Sequence, residues 1–94
     1  MSKPEIAPLC DAPIGDLVEV VGLVGDRNAR WRLMDLGLIA GTKVEVLRAS
    51  PLGDPILYRF RGTTIALRRT DAAIVQVRRI APAALTGSNS ERGE

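Results

Sequence analysis

Histidine is absent from this 94-residue sequence, and with it go Ser–His triads, imidazole general bases and most zinc sites. A single cysteine, Cys10, excludes an internal disulfide framework and any thiolate cluster for zinc or an iron–sulfur centre within the chain. Carboxylates remain as metal ligands, but Asp11, Asp16, Asp26, Asp35, Asp54 and Asp71 are dispersed, several at positions where turns and helix caps favour aspartate. No metal ligand, catalytic residue or cofactor is assigned. The sequence has no run near the ~20 apolar residues that cross a bilayer, and its start, MSKPEIAPLC, lacks the continuous apolar stretch of a signal peptide. A reducing, cytoplasmic setting is expected.

Aromatic residues are scarce: Trp31, Tyr58 and Phe60. Single-strand nucleic-acid binders normally add aromatic stacking platforms to a basic groove. Here Tyr58 and Phe60 are expected inward and Trp31 lies on a helix, so Arg59, Arg61, Arg68, Arg69, Arg78 and Arg79 have no stacking partners for a base. The stretch Gly22 to Asp26, GLVGD, lacks the GxxxxGK[ST] pattern and the lysine of a phosphate loop, which argues against nucleotide binding. The net charge is only +2, and arginine outnumbers lysine, found at Lys3 and Lys43 alone. Such a surface permits an anionic partner without requiring one.

Hydrophobic residues make up 46% of the chain, enough for one core. The compact body is expected over residues 9–80, between a proline-containing start at 1–8 and a polar tail at 81–94. Residues 17–24, LVEVVGLV, read as a strand with Val18 and Val20 inward. Asp26 then caps a helix, RNARWRLMDL, which Gly37 closes. Ala29, Leu33 and Leu36 form the stripe expected to pack against the body. Val44 and Val46 alternate along a second strand. Ile56, Tyr58 and Phe60 make a third, and Ile65 and Leu67 a fourth. Thr70 is expected to cap a short turn, and Val75 and Val77 belong to a closing strand. The fold expected is mainly β: a small SH3-like five-stranded antiparallel barrel with one short helix inserted after its first strand. Trp31, Met34, Leu38 and Ile39 lie off the inward stripe, and suit either a recognition surface or the core.

Three motifs carry a resemblance: Arg32-Leu33 with Asp35-Leu36-Gly37-Leu38 and Gly41; Pro51-Leu52-Gly53-Asp54-Pro55; and Gly62 followed by Ile65, Leu67, Arg68 and Ala72. Together they make the chain resemble the FeoA family, small accessory proteins of bacterial ferrous iron uptake, whose domain is also similar to the C-terminal domain of iron-dependent repressors. The resemblance implies an SH3-like barrel and one partner, the FeoB-type membrane transporter with its GTP-hydrolysing cytosolic domain. It implies a non-catalytic adaptor that meets the membrane only through that partner and binds no nucleic acid. Arg32, Leu33, Leu36, Gly37, Gly41, Pro51, Gly53 and Gly62 are then structural. Trp31, Met34, Leu38, Leu52 and Arg68 are the candidate partner contacts. The alternatives are an SH3-like peptide-binding regulatory module unrelated to transport and a basic RNA-binding barrel.

Overall fold

Runs of alternating apolar and polar residues can each bury one face only if their strands share a core, and the protein solves this with one curled antiparallel sheet. The computed structural model describes residues 5–82. Its elements are β1 (Ile6–Pro8), a 3-10 turn (Leu9–Asp11), β2 (Leu17–Leu23), α1 (Arg27–Leu36), β3 (Lys43–Ala49), β4 (Ile56–Phe60), β5 (Thr63–Leu67), α2 (Arg69–Ala72) and β6 (Val75–Ala81). All neighbouring strands are antiparallel, in the order β1-β6-β2-β3-β4-β5.

The inward residues are those the alternation selects. Val18, Val20, Val44, Val46, Ile56, Tyr58, Phe60, Leu67, Val75 and Val77 are buried in a single cluster, while Ile65 packs partly buried against it. The outer face carries cross-strand ion pairs at positions the register sets opposite one another: Glu19 with Arg78 at 2.6 Å and Glu45 with Arg59 at 3.2 Å. Both pairs are partly exposed, and such pairs contribute about 0–1 kcal/mol each.

The described residues hold six strands instead of five. The additional one, β1, lies in the segment expected to be a frayed start, with Ile6 across from Arg78 and Pro8 across from Gln76. The terminal strands β1 and β5 do not pair with each other, so backbone hydrogen bonds leave the barrel open. The short helix α2 begins one residue before Thr70, with Arg68 at its N-cap and no side-chain cap, so Thr70 does not cap it. The tail expected from residue 81 falls, beyond Pro82, outside the described residues.

Candidate protein-interaction surface

Helix α1 is fixed at both ends by local chemistry. The Asp26 carboxylate accepts a hydrogen bond from the Ala29 N–H at 2.8 Å, satisfying one of the free donors of the first turn. At the other end Gly37 takes the left-handed conformation (φ 112°), and the Leu38 N–H reaches back to the Leu33 carbonyl at 3.1 Å. This chain reversal folds the residue after the glycine onto the last inward turn of the helix. Leu38 is consequently wholly buried in the core beside Leu33, and it is no partner contact. Leu36, expected to lock the helix down, is displaced from that role and is 45% exposed. Leu33 alone among the residues of α1 is buried.

With one fully buried residue anchoring it, α1 leaves its large apolar side chains Trp31, Met34 and Leu36 exposed. Trp31 is 61% exposed, and Met34 and Ile39 are also exposed. Trp31 and Met34 lie three residues apart, one turn along the same side of the helix. Met34, Ile39 and Ala40 line a shallow groove of about 220 Å³ whose opposite wall is Gly22 and Leu23 of β2. Nothing stands within 4 Å of where a Gly22 side chain would begin. The strand register shifts between Val20 and Gly22, so the alternation of β2 breaks where the groove opens. Arg30 completes the lining, and its Nε is buried with no hydrogen-bond partner among the described residues. Sequence reasoning weighed Gly22 only as the start of a phosphate loop and did not single out Leu23, Arg30 or Ala40; the glycine interrupting VVGLV was the available signal.

Leu52 and Arg68 lie elsewhere. Leu52 is 94% exposed at the tip of the 51–55 loop, which Arg69 pins from the side. The Arg69 backbone N–H donates to the Asp54 carboxylate at 2.9 Å, and its guanidinium donates to the Gly53 carbonyl at 2.8 Å and to the Cys10 carbonyl at 3.3 Å. Ser50 closes the loop through its hydroxyl to the Asp54 carbonyl at 2.7 Å. The loop immediately precedes Ile56, at one end of β4. Gly37 of the helix exit rests on Phe60 and Arg61, at the other end. The structure thus divides the candidate contacts into two patches: Trp31 and Met34 on α1, and Leu52 with Arg68 by the pinned loop.

Of the motif leucines, Leu33 is buried and Leu36 exposed. Arg32 pairs with Asp71 at 3.3 Å, tying α1 to α2, and the Gly37 carbonyl accepts the Thr42 hydroxyl at 2.9 Å. A side chain at Gly37 would begin 2.9 Å from Arg61 Cδ, and the backbone there is left-handed. Gly41 and Gly62 also have positive φ, in the turn before β3 and in the β4–β5 turn. Pro51 and Gly53 shape the pinned loop, and the Gly53 N–H donates to the Ser50 carbonyl at 2.7 Å.

A larger cavity, about 680 Å³, lies under β1 and the 3-10 turn, with the Asp16–Arg79 ion pair (2.9 Å) in its wall. Among the described residues no three His, Cys, Asp or Glu side chains group closely enough to hold a metal ion. No described helix is long and apolar enough to cross a membrane.

Known proteins match this arrangement. The family model of the FeoA domain matches residues 7–79. A Porphyromonas gingivalis protein, an Fe(2+) transport protein A/Fe(2+) transporter FeoB fusion, is 33% identical over 69 residues, covering 73% of this chain and 8% of the fusion. The solution structure of the FeoA protein from Chlorobium tepidum is 40% identical, with a TM-score of 0.72 over 79% of this chain and 70% of that one. The zinc-complexed FeoA of Stenotrophomonas maltophilia, a prokaryotic SH3 domain protein, is 26% identical, with a TM-score of 0.62 over 81% of this chain and 89% of that one. The expected SH3-like, mainly β fold is the one observed.

Proposed function

Because this chain belongs to the FeoA domain family, we propose that it is a non-catalytic cytoplasmic adaptor of ferrous iron transport that binds the cytosolic region of an FeoB-type transporter. The observation that carries the binding role is the exposed apolar surface at α1 and its exit, where Trp31 and Met34 stand on a helix capped at both ends and Met34 and Ile39 line an open groove. Exposed aromatic and methionine side chains on a rigid element are the residue types that anchor protein interfaces. The fused relative supports the choice of partner, since there a segment like this chain and the transporter share one polypeptide. The adaptor acts through the surface it presents, and contact with the membrane comes through the transporter.

Titration of the purified cytosolic region of the transporter against this protein by calorimetry tests the reading. Met34→Glu is expected to weaken binding by about tenfold or more, the loss typical of an interface anchor, with an unchanged melting temperature. Leu52→Ser, in the second patch, shows by comparison whether the pinned loop shares the contact. No binding by the intact protein, or full affinity in a folded Met34→Glu variant, would remove the α1 surface from consideration.

A further inference from the structure

The two terminal strands of the sheet differ in how they are protected. β1 is three residues long and ends in Pro8, which has no N–H to offer another chain. β5 is five residues, Thr63–Leu67, with no proline and no charge, composed of residues that suit a strand. The direction of its backbone groups follows from the turn before it. Arg61 and Gly62 both have positive φ, 57° and 76°, and they join Phe60 to Thr63 across a two-residue hairpin. In such a hairpin the flanking residues exchange both hydrogen bonds. Thr63, Ile65 and Leu67 therefore bond to β4, and the N–H and C=O groups of Thr64 and Ala66 face outward. No hydrogen bond outside the sheet ladder reaches either residue among the described residues. The side chains of Thr64 and Ala66 are small and exposed.

Charge surrounds this edge with one sign. Arg61 precedes β5 and Arg68 follows it, both exposed and without an ion pair among the described residues, and Arg59 stands directly across from Thr64. The carboxylates bonded nearby are engaged, Glu45 by Arg59, Asp54 by the Arg69 backbone and Asp71 by Arg32, which leaves Arg61 and Arg68 as the cations free to meet a partner. A second copy pairing antiparallel about Ile65 would bring the Arg61 end of one strand to the Arg68 end of the other, so self-association is opposed.

We propose that the outer edge of β5 is a docking site for an extended acidic segment of another protein, which adds to the sheet as a seventh strand through Thr64 and Ala66 and places its carboxylates against Arg61 and Arg68. Main-chain pairing supplies the attraction and the arginines supply the selection. This site is separate from the groove on α1 and does not depend on the transporter being the partner.

Nuclear magnetic resonance of the isotopically labelled full chain tests it, with a short capped peptide alternating Glu with Val as the probe and its Lys-for-Glu counterpart as control. The acidic peptide is expected to shift the Thr64 and Ala66 amides and slow their hydrogen exchange, binding at least about tenfold more tightly than the basic one. Ala66→Pro, which removes an outward N–H and leaves the bonds to β4, should abolish the effect. If that variant does not fold, Arg61→Asp with Arg68→Glu should reverse the preference toward the basic peptide. The proposal fails if the Thr64 and Ala66 amides stay unshifted at saturating acidic peptide, if both peptides bind alike, or if added peptide only drives self-association.

Discussion

Tyr58 brings a hydroxyl into the middle of the core, where the side chain is wholly buried and the oxygen has no hydrogen-bond partner among the described residues. An isolated hydroxyl in such surroundings costs about 1–3 kcal/mol. Tyr58→Phe is therefore expected to keep or raise the urea midpoint, and a clear fall would show that the hydroxyl is satisfied in solution. Burial pushes the phenol far above its ordinary value, with negative charge at Cys10 and Asp54 adding to the effect and Arg69 opposing it. The unfolded chain then releases the phenolic proton first as pH rises past about 10. Stability is intact below that pH and declines above it. Burial and the neighbouring Asp11 raise the Cys10 thiol as well, so it acts in the same direction. Chemical denaturation at a series of alkaline pH values should show a shallower decline for Tyr58→Phe than for the natural chain; parallel profiles would exclude Tyr58 as a source. The inward direction of Tyr58 was legible because Ile56, Tyr58 and Phe60 alternate. The burial of Leu38 and exposure of Leu36 were not, because helical spacing was extended past the residue where the helix stops. The glycine reversal brings Leu38 onto Leu33, and a stripe counted in steps of three and four cannot register that.

Among the elements, the 51–55 loop owes its shape to a residue distant in sequence. Arg69 holds the Gly53 carbonyl, the Asp54 carboxylate and the Cys10 carbonyl together, so one guanidinium and its own N–H join the loop, α2 and the 3-10 turn. Arg69→Ala keeps the backbone contact to Asp54 and loses the side-chain donors. It is expected to raise hydrogen exchange across residues 51–54 while β3 and β4 stay protected, and unchanged exchange in the loop would show that Ser50 and the backbone contact to Asp54 suffice to close it. The turn itself was readable from its prolines and glycine, but its anchor was not, since an arginine some fifteen positions away carries no local signature. Helix α1 was readable at both ends because capping is local: Asp26 and Gly37 act within a turn of where they stand. Strand β1 escaped for the opposite reason. Ile-Ala-Pro is too short to alternate and contains a strand-breaking residue, and only the neighbouring β6 makes it extended.

For the whole molecule, β1 is the test of how far the body extends. It covers one edge of β6, and Glu5, Ala7 and Pro8 wall the cavity that holds Asp16 and Arg79. Deleting residues 1–8 should lower stability by about 1–3 kcal/mol, measured by urea unfolding, and an unchanged midpoint would return the boundary to residue 9. The mainly β class was legible because five segments show a two-residue period and only one has capped helical form. The division of the candidate contacts was not, because a motif read along the chain does not say that Leu52 and Met34 end up at opposite ends of β4. The same register carries a practical corollary. Val75 of β6 pairs with Leu23 at the α1 end of the sheet, whereas Ala81 pairs with Leu17 at the far end, and Ile6 sits beside Arg78. Within the described residues the polypeptide enters and leaves on adjoining strands, at the end of the sheet away from the helix. A domain joined directly before Glu5 or after Pro82 is therefore expected to start from behind and leave the helical face open.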